Sequence, residues 1–159
     1  MYRIGQSSDI HPLVKNRQLI LGGVTIPNEL GLMGHSDGDA LLHAIAEAII
    51  GALGQGDLGK HFSDQNPQHK GMSSLVILEY TYQLMIERNY QINNIDALIM
   101  IEKPKMAPFI PIMRANIARV LHCEPELVNI KATRGERLGF IGREEGVMAQ
   151  AVVLLKGNE

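Results

Sequence analysis

Apolar positions along the chain fall into segments of two periods, separated by short polar breaks rich in glycine. The densest runs from Ala40 to Leu53, where His43 and Glu47 are the polar exceptions. Its helix-forming composition predicts a helix that starts near Ser36 or Asp37 and ends around Gly54. Helical spacing recurs over Ser73 to Asn89 and Ile112 to Leu121. Strands are expected over Tyr2 to Ser8, Ile92 to Ile101, Val128 to Ala132 and Val147 to Leu155. Two shorter ones flank the glycine turn within Leu19 to Ile26. Helices alternate with strands, so the expected fold is a two-layer α/β (α+β) arrangement: one mixed sheet, with helices packed on one face, in a single domain over residues 1–159. Gly56 to Pro67 is a polar loop too long for a mere connection, and such loops often carry function.

Composition narrows the classes without naming one. A chain of 159 residues, 45% hydrophobic and 20% charged, has enough apolar surface for one proper core. Fifteen basic and seventeen acidic side chains give a net charge of -2, which offers no global attraction for nucleic acid or an anionic membrane. No long apolar run follows the first residues, so a soluble, cytoplasmic protein is expected. Cys123 is the single cysteine. That excludes an intrachain disulfide framework and a thiolate metal cluster.

Candidate chemistry concentrates in Gly34-His35-Ser36-Asp37-Gly38-Asp39 and in His43 behind it. Asp39 and His43 are four apart and would share a helix face, with His43 one turn inside, able to point back toward whatever His35 and Ser36 contact. Asp9-Ile10-His11 supplies a second pair, because alternate residues of a strand project from one face. One carboxylate and two imidazoles suit Zn²⁺ with an open fourth position. The plainer alternatives are a capped core helix with a locally bonded histidine, and Asp9 and His11 set by turn and proline geometry. Ile101 to Pro108 follows a strand, and its prolines fix an irregular backbone able to offer peptide groups to a planar ligand. Lys131 to Arg143 combines glycines, cations, a hydroxyl and a carboxylate, as a diphosphate with a divalent ion would require; a solvated loop is the alternative.

Taken together, Arg3-Ile4-Gly5, Asp9-Ile10-His11, Gly34 to Asp39 with His43, Gly56-Asp57-Leu58-Gly59, Pro104-Lys105-Met106, Lys131-Ala132-Thr133 and Leu138-Gly139-Phe140 resemble the 2-C-methyl-D-erythritol 2,4-cyclodiphosphate synthase family, in order and over nearly the whole chain. The resemblance implies a homotrimer with active sites between subunits, acting in the non-mevalonate route to isoprenoids. The implied reaction converts 4-diphosphocytidyl-2-C-methyl-D-erythritol 2-phosphate into the cyclic diphosphate and CMP by an intramolecular phosphoryl transfer.

Position by position, the resemblance makes Asp9, His11 and His43 zinc ligands. It gives His35 and Ser36 the methylerythritol phosphate, and His35 a share in stabilising the transition state. Asp57, Leu58 and Gly59, with Phe62, Ser63, Asp64, Gln65 and Asn66, form the ribose and polyol loop. Ile101, Glu102, Lys103, Pro104, Lys105, Met106 and Ala107 form the cytosine pocket. Thr133, Arg134, Gly135 and Glu136 grip the diphosphate, and Glu136 helps hold a second ion, Mg²⁺ or Mn²⁺. Phe140 and Arg143 match residues lining the cavity of the trimer.

Departures from the family pattern fall in the same segments. Gln6-Ser7-Ser8 replaces a His-Gly-aromatic run, Ser63 stands where proline is usual, and Ser8 and Gln150 replace the aromatic and acidic partners of the trimer cavity. Arg134 replaces a hydroxyl residue credited with transition-state stabilisation. Two other classes share parts of the pattern. A non-haem Fe(II) oxygenase uses two histidines and a carboxylate, usually on an all-β scaffold; a cytidine-nucleotide binding protein would keep the pocket without turnover.

Overall fold

The computed structural model describes residues 1–158. Its strands are β1 (Tyr2–Lys15), β2 (Leu19–Leu21), β3 (Val24–Ile26), β4 (Leu30–Leu32), β5 (Tyr90–Met100), β6 (Val128–Thr133) and β7 (Gly146–Gly157). Its helices are α1 (Ala40–Ala52), α2 (Leu58–His61), α3 (Ser74–Glu87), α4 (Ile110–Leu121) and α5 (Gly139–Gly142). Single 3-10 turns cover Pro67–His69 and Pro125–Leu127. The main sheet has the order β4-β1-β7-β5-β6; β5 and β6 run parallel and every other neighbouring pair is antiparallel. The expected mixed sheet is therefore present.

Alternation along the strands decides where the helices lie. In β1, Gly5 and Ser7 are buried while Ile4, Gln6 and Ser8 are exposed; in β7, Val147, Ala149, Ala151, Val153 and Leu155 are buried and Gln150 and Val152 are not. The buried set meets α1, which lies over β1 and β7 and is flanked by α3, with α4 against α3 and β6. Alanines 44, 48 and 52 allow this close approach. At Gly5 a Cβ would sit 1.9 Å from the carbonyl oxygen of Ala48, so no larger residue fits without parting the layers. Among the described residues the opposite face of the sheet meets no long helix, only Phe140 of α5 at its Gly146 end, and carries Ile4, Ile10 and Val152 exposed, with Leu98, Met100, Met148 and Leu154 half-buried.

Several boundaries differ from expectation. β1 does not stop at Ser8 but continues to Lys15, because β7 pairs with it as far as Pro12 and β4 takes over at Leu13. α1 begins at Ala40 rather than near Ser36: Asp39 is the N-cap, and its carboxylate accepts from the N–H of Leu42. It also accepts from Gly22 and Gly23, whose φ of 60° and 72° form the β2–β3 turn. Burial pushes the Asp39 carboxyl up to about 6 against the pull of the Leu42, Gly23 and Gly22 N–H groups, with the Asp37 charge adding to the rise. Its carboxylate is thus committed to backbone and is not aimed along the helix at His43. The polar loop after α1 contains the short helix α2, capped by Asp57.

Candidate active site

Asp9 and His11 leave the helix-covered face of β1, and His43 comes down from the first turn of α1 to meet them. One ligand atom from each lies within 4.8 Å of the others, so the three could hold a metal ion. Hydrogen bonds behind the rings fix which nitrogens face inward. His11 Nδ1 is 2.8 Å from the carbonyl oxygen of Met33, which only accepts, so that nitrogen carries the proton. His11 Nε2 then presents an electron pair to Asp9 Oδ2 at 2.8 Å.

His43 is fixed by a longer chain of contacts. Ser74 donates its hydroxyl to Asp37, which leaves the Ser74 oxygen to accept from His43 Nε2 at 2.8 Å; Ser36 Oγ lies 3.0 Å from the same nitrogen. His43 Nδ1 therefore also presents an electron pair, 3.3 Å from Asp9 Oδ2. With both rings neutral, three electron-rich atoms converge with nothing positive between them. A divalent cation resolves that conflict, and histidines held by backbone and hydroxyl partners are the usual support of such a centre. Without a metal, protons must do so. His11 is raised above its ordinary 6.5 by Asp9 despite burial, and Asp9 is drawn down to about 2, its own burial being outweighed by bonds to His11 and His43.

A cavity of about 160 Å³ opens beside the trio, lined by His11, His35, Ser36 and His43 on one side and by Leu58, Phe62, Ser63, Asp64 and His69 on the other. His35 Nε2 donates to the Asn66 carbonyl at 3.1 Å, and the His35 carbonyl accepts from Gly71 at 2.8 Å, so this loop is sewn to the segment before α1. Its base is anchored by Glu47, which accepts from Ser7 Oγ at 2.5 Å and from the Leu58 N–H at 3.0 Å.

A second cavity, of about 340 Å³, lies where β5 and β6 end. Ile101, Glu102, Pro104, Lys105, Met106 and Ala107 form one wall, and Ala132, Thr133, Arg134 and Glu136 the other. The two cavities share no lining residue. Thr133 pairs in register with Met100 on the open face of the sheet, whereas Asp9 and His11 lie on the helix side. Ala132 and Ile101 of the same cavity have the opposite, helix-side parity, so this cavity opens at the strand ends and is separate from the first.

A YgbB family model matches residues 2–156. The chain is 57% identical to the 2-C-methyl-D-erythritol 2,4-cyclodiphosphate synthase of Pelobacter propionicus, over 98% of its own length and 99% of that protein. It belongs to the 2-C-methyl-D-erythritol 2,4-cyclodiphosphate synthase family. Among solved structures, the bifunctional IspDF of Campylobacter jejuni superposes with a TM-score of 0.96 at 38% identity; the whole chain is covered, and it spans 43% of that longer protein. IspF of Plasmodium falciparum, in a CDP complex, superposes with a TM-score of 0.88 at 34% identity, over 99% of this chain and 97% of that one. The chain is accordingly a lyase of isoprenoid biosynthesis that forms 2-C-methyl-D-erythritol 2,4-cyclodiphosphate.

In this member of the synthase family the residues expected from sequence divide between the two cavities. Asp9 joins His11, His35, Ser36 and His43 at the first, with Leu58, Phe62, Ser63 and Asp64. Asp57 and Asn66 spend their side-chain oxygens on capping the N–H groups of Lys60 and Gln68, and Gln65 donates its own N–H to Ser63. Glu136 lies at the second cavity, away from the trio, and Lys103 does not line it. Arg143 pairs with Glu145 at 2.7 Å, Phe140 lies against Gly146, and Gln150 donates to Ser8 on the open sheet face at 3.3 Å. Sequence reading overlooked His69, Ser74, Glu47 and the Met33 carbonyl. Glu47 alone left a signal, as an isolated carboxylate in an apolar helix.

Proposed function

We propose that Asp9, His11 and His43 hold one Zn²⁺ per chain, and that the chain works in the cytoplasm as a homotrimer with each active site built from two subunits. The convergence of three electron-rich atoms on one point carries the metal reading, and two nitrogens with one oxygen are a donor set suited to zinc with an open position. When bound there, such an ion supplies Lewis-acid polarisation of a phosphate oxygen. The remaining work falls to the chain. His35 and Ser36 hold the methylerythritol phosphate, and His35 stabilises the charge that develops there. Asp57, Leu58 and Gly59, with Phe62 to Asn66, close over the ribose and polyol. Ile101 to Ala107 read the cytosine edge through backbone groups. Thr133, Arg134 and Gly135 grip the diphosphate with Glu136, which helps hold Mg²⁺ or Mn²⁺.

Attacker and target belong to one molecule, 4-diphosphocytidyl-2-C-methyl-D-erythritol 2-phosphate. The 2-phosphate oxygen forms a bond to the β-phosphorus while the bond from β-phosphorus to the CMP oxygen breaks. No protein nucleophile is required. The residues fold the substrate into line and offset the repulsion of two anions brought together. Phosphorus NMR of purified protein with this substrate and Mg²⁺ is expected to give cyclic diphosphate and CMP in equal amounts, with one zinc per chain by metal analysis. Binding of CMP with no turnover would replace the enzyme reading with that of a nucleotide-binding protein.

Two observations support the shared site. The two halves of the site are separate cavities with no common lining residue in one chain, and the open sheet face presents Ile4, 71% exposed, and Ile10, 54% exposed, as one subunit surface would to another. Val152→Glu, in the middle of that face, is expected to yield monomers in light scattering and to lower turnover at least ~10-fold, because half of each site is lost. A monomer that keeps full turnover would rule out the shared site.

Arg134 lines the second cavity beside Thr133 and Glu136, with no carboxylate partner within salt-bridge distance among the described residues. A permanently charged planar fork suits phosphate oxygens in place of a hydroxyl. Arg134→Ala is expected to reduce turnover at least ~10-fold, equivalent to ~1.4 kcal/mol of transition-state stabilisation, and Arg134→Thr to recover part of it. Steady-state kinetics decide; near-wild-type turnover in Arg134→Ala would reject the role.

A further inference from the structure

The parallel strands β5 and β6 end side by side, so the loops that follow them leave the same edge of the sheet and form opposite walls of the larger cavity. The Ile101 N–H donates to the Thr133 carbonyl at 3.0 Å, as a last rung beyond the paired strands. Past that rung the second loop turns sharply, with Glu136 and Arg137 at φ of 53° and 63°. One further bond joins the walls: the Gly135 N–H donates to Glu102 Oε2 at 2.9 Å. Gly135 is itself fixed from behind. A Cβ there would lie 2.6 Å from the Gly142 nitrogen and 3.0 Å from Ile141, and its carbonyl accepts from Leu138 at 2.9 Å.

Glu102 therefore grips a backbone N–H in a closely packed turn, from a side chain in the wall where Pro104 and Met106 lie. Its charge makes the contact informative. A carboxylate in the wall of a cavity that takes a diphosphate repels the ligand, and repulsion in a partly desolvated cavity is stronger than in water. For Glu136 the ion it helps to hold offsets that cost; Glu102 is instead bonded to the Gly135 N–H of the opposite wall, so its part is read from that contact.

We propose that Glu102 is a positioning residue: through Gly135 it fixes the spacing between the wall that reads the base and the loop that holds the phosphates, so that a substrate bound by its cytidine presents its β-phosphorus in line. This rests on the assignment of the cavity to the diphosphocytidyl group. Committing the Gly135 N–H to Glu102 makes the part of Gly135 in gripping the diphosphate one of shaping the loop, while Thr133 and Arg134 supply the donors and Glu136 the site of the ion. A misplacement of one wall by about 1 Å is enough to cost on the order of 100-fold in rate while either wall still binds its own part of the ligand.

The test compares wild type, Glu102→Ala and Glu102→Gln as full-length, metal-loaded protein, with CMP as the probe of the base wall. Glu102→Ala is expected to lower kcat at least ~10-fold while its affinity for CMP stays within ~3-fold of wild type. Glu102→Gln keeps an oxygen that accepts from Gly135, and is expected to return kcat to within ~3-fold of wild type. The proposal is overturned if Glu102→Ala keeps its kcat, if CMP binding weakens as much as turnover falls, or if glutamine is as poor as alanine. The assignment of the cavity is tested separately, by the methyl NMR signal of Met106 in wild type. A signal that CMP leaves unmoved would reject that assignment, and the proposal with it, whatever the variants do.

Discussion

His43→Ala is expected to give a folded protein that retains at most about a tenth of the wild-type zinc and turns over substrate at least ~1000-fold more slowly, a loss of ~4 kcal/mol or more at the transition state. The fold should survive because α1 is held by its apolar contacts with β1, β7 and α3 and by the Asp39 cap, none of which involves the imidazole. What is lost is one of three donors, and with it the reason for Asp9 and His11 to face each other without a shared proton. Ser74→Ala makes the informative comparison. It keeps the imidazole but removes the oxygen that accepts from Nε2, leaving Ser36 alone to orient the ring. Zinc affinity is then expected to fall by roughly 10-fold rather than vanish, the usual scale for the partner behind a ligating histidine. Metal analysis after dialysis against a zinc buffer, with circular dichroism as the check on folding, separates the two variants. Full zinc content and near-wild-type turnover in His43→Ala would remove the trio from the reaction.

The strands and long helices were legible because each carries its own period. The alternation that placed Asp9 and His11 on one face of β1 needed only the strand, and the structure keeps both there beside His43. The start of α1 was not legible in the same way. Ser36, Asp37 and Asp39 are all good capping residues, and the choice among them is made by groups far away in sequence. Asp37 is taken by Ser74 at the start of α3, while Asp39 is taken by the β2–β3 turn. β4 is three residues long and exists because Leu13 to Lys15 offer it an edge. The helices α2 and α5, four residues each, are too short to show a period. Motif spacing marked both halves of the site, but their separation within one chain is a property of the fold: it appears only once β6 is paired with β5, which brings Thr133 to the wall of Pro104 to Met106, and β1 with β7, which keeps Asp9 at the other cavity.

Removing the metal should reverse how the protein's stability depends on pH. In the metal-free chain, His11 has a folded pKa above its ordinary 6.5, so its contribution is fully present below pH 6.5 and is lost as pH rises through the folded value. Asp9 is held near 2 against an ordinary 3.8, so its contribution is present above pH 3.8 and lost as pH falls toward 2. Between them these two groups favour the metal-free fold most from about pH 4 to 6.5 and less at pH 8. A bound ion requires the opposite protonation. It competes with the proton on His11, so its affinity rises with pH until that imidazole is neutral. Free zinc at about 1000 times its dissociation constant adds ~4 kcal/mol, and a chain of this size shifts by roughly 2–4 °C per kcal/mol, which gives a gap of ~8–16 °C at pH 8. Paired thermal melts, zinc-loaded and chelated, are expected to nearly coincide at pH 5 and to separate steadily up to pH 8, the chelated curve falling as the loaded one holds. A gap that is constant with pH, or widest in acid, would mean that the ion is not held by these histidines.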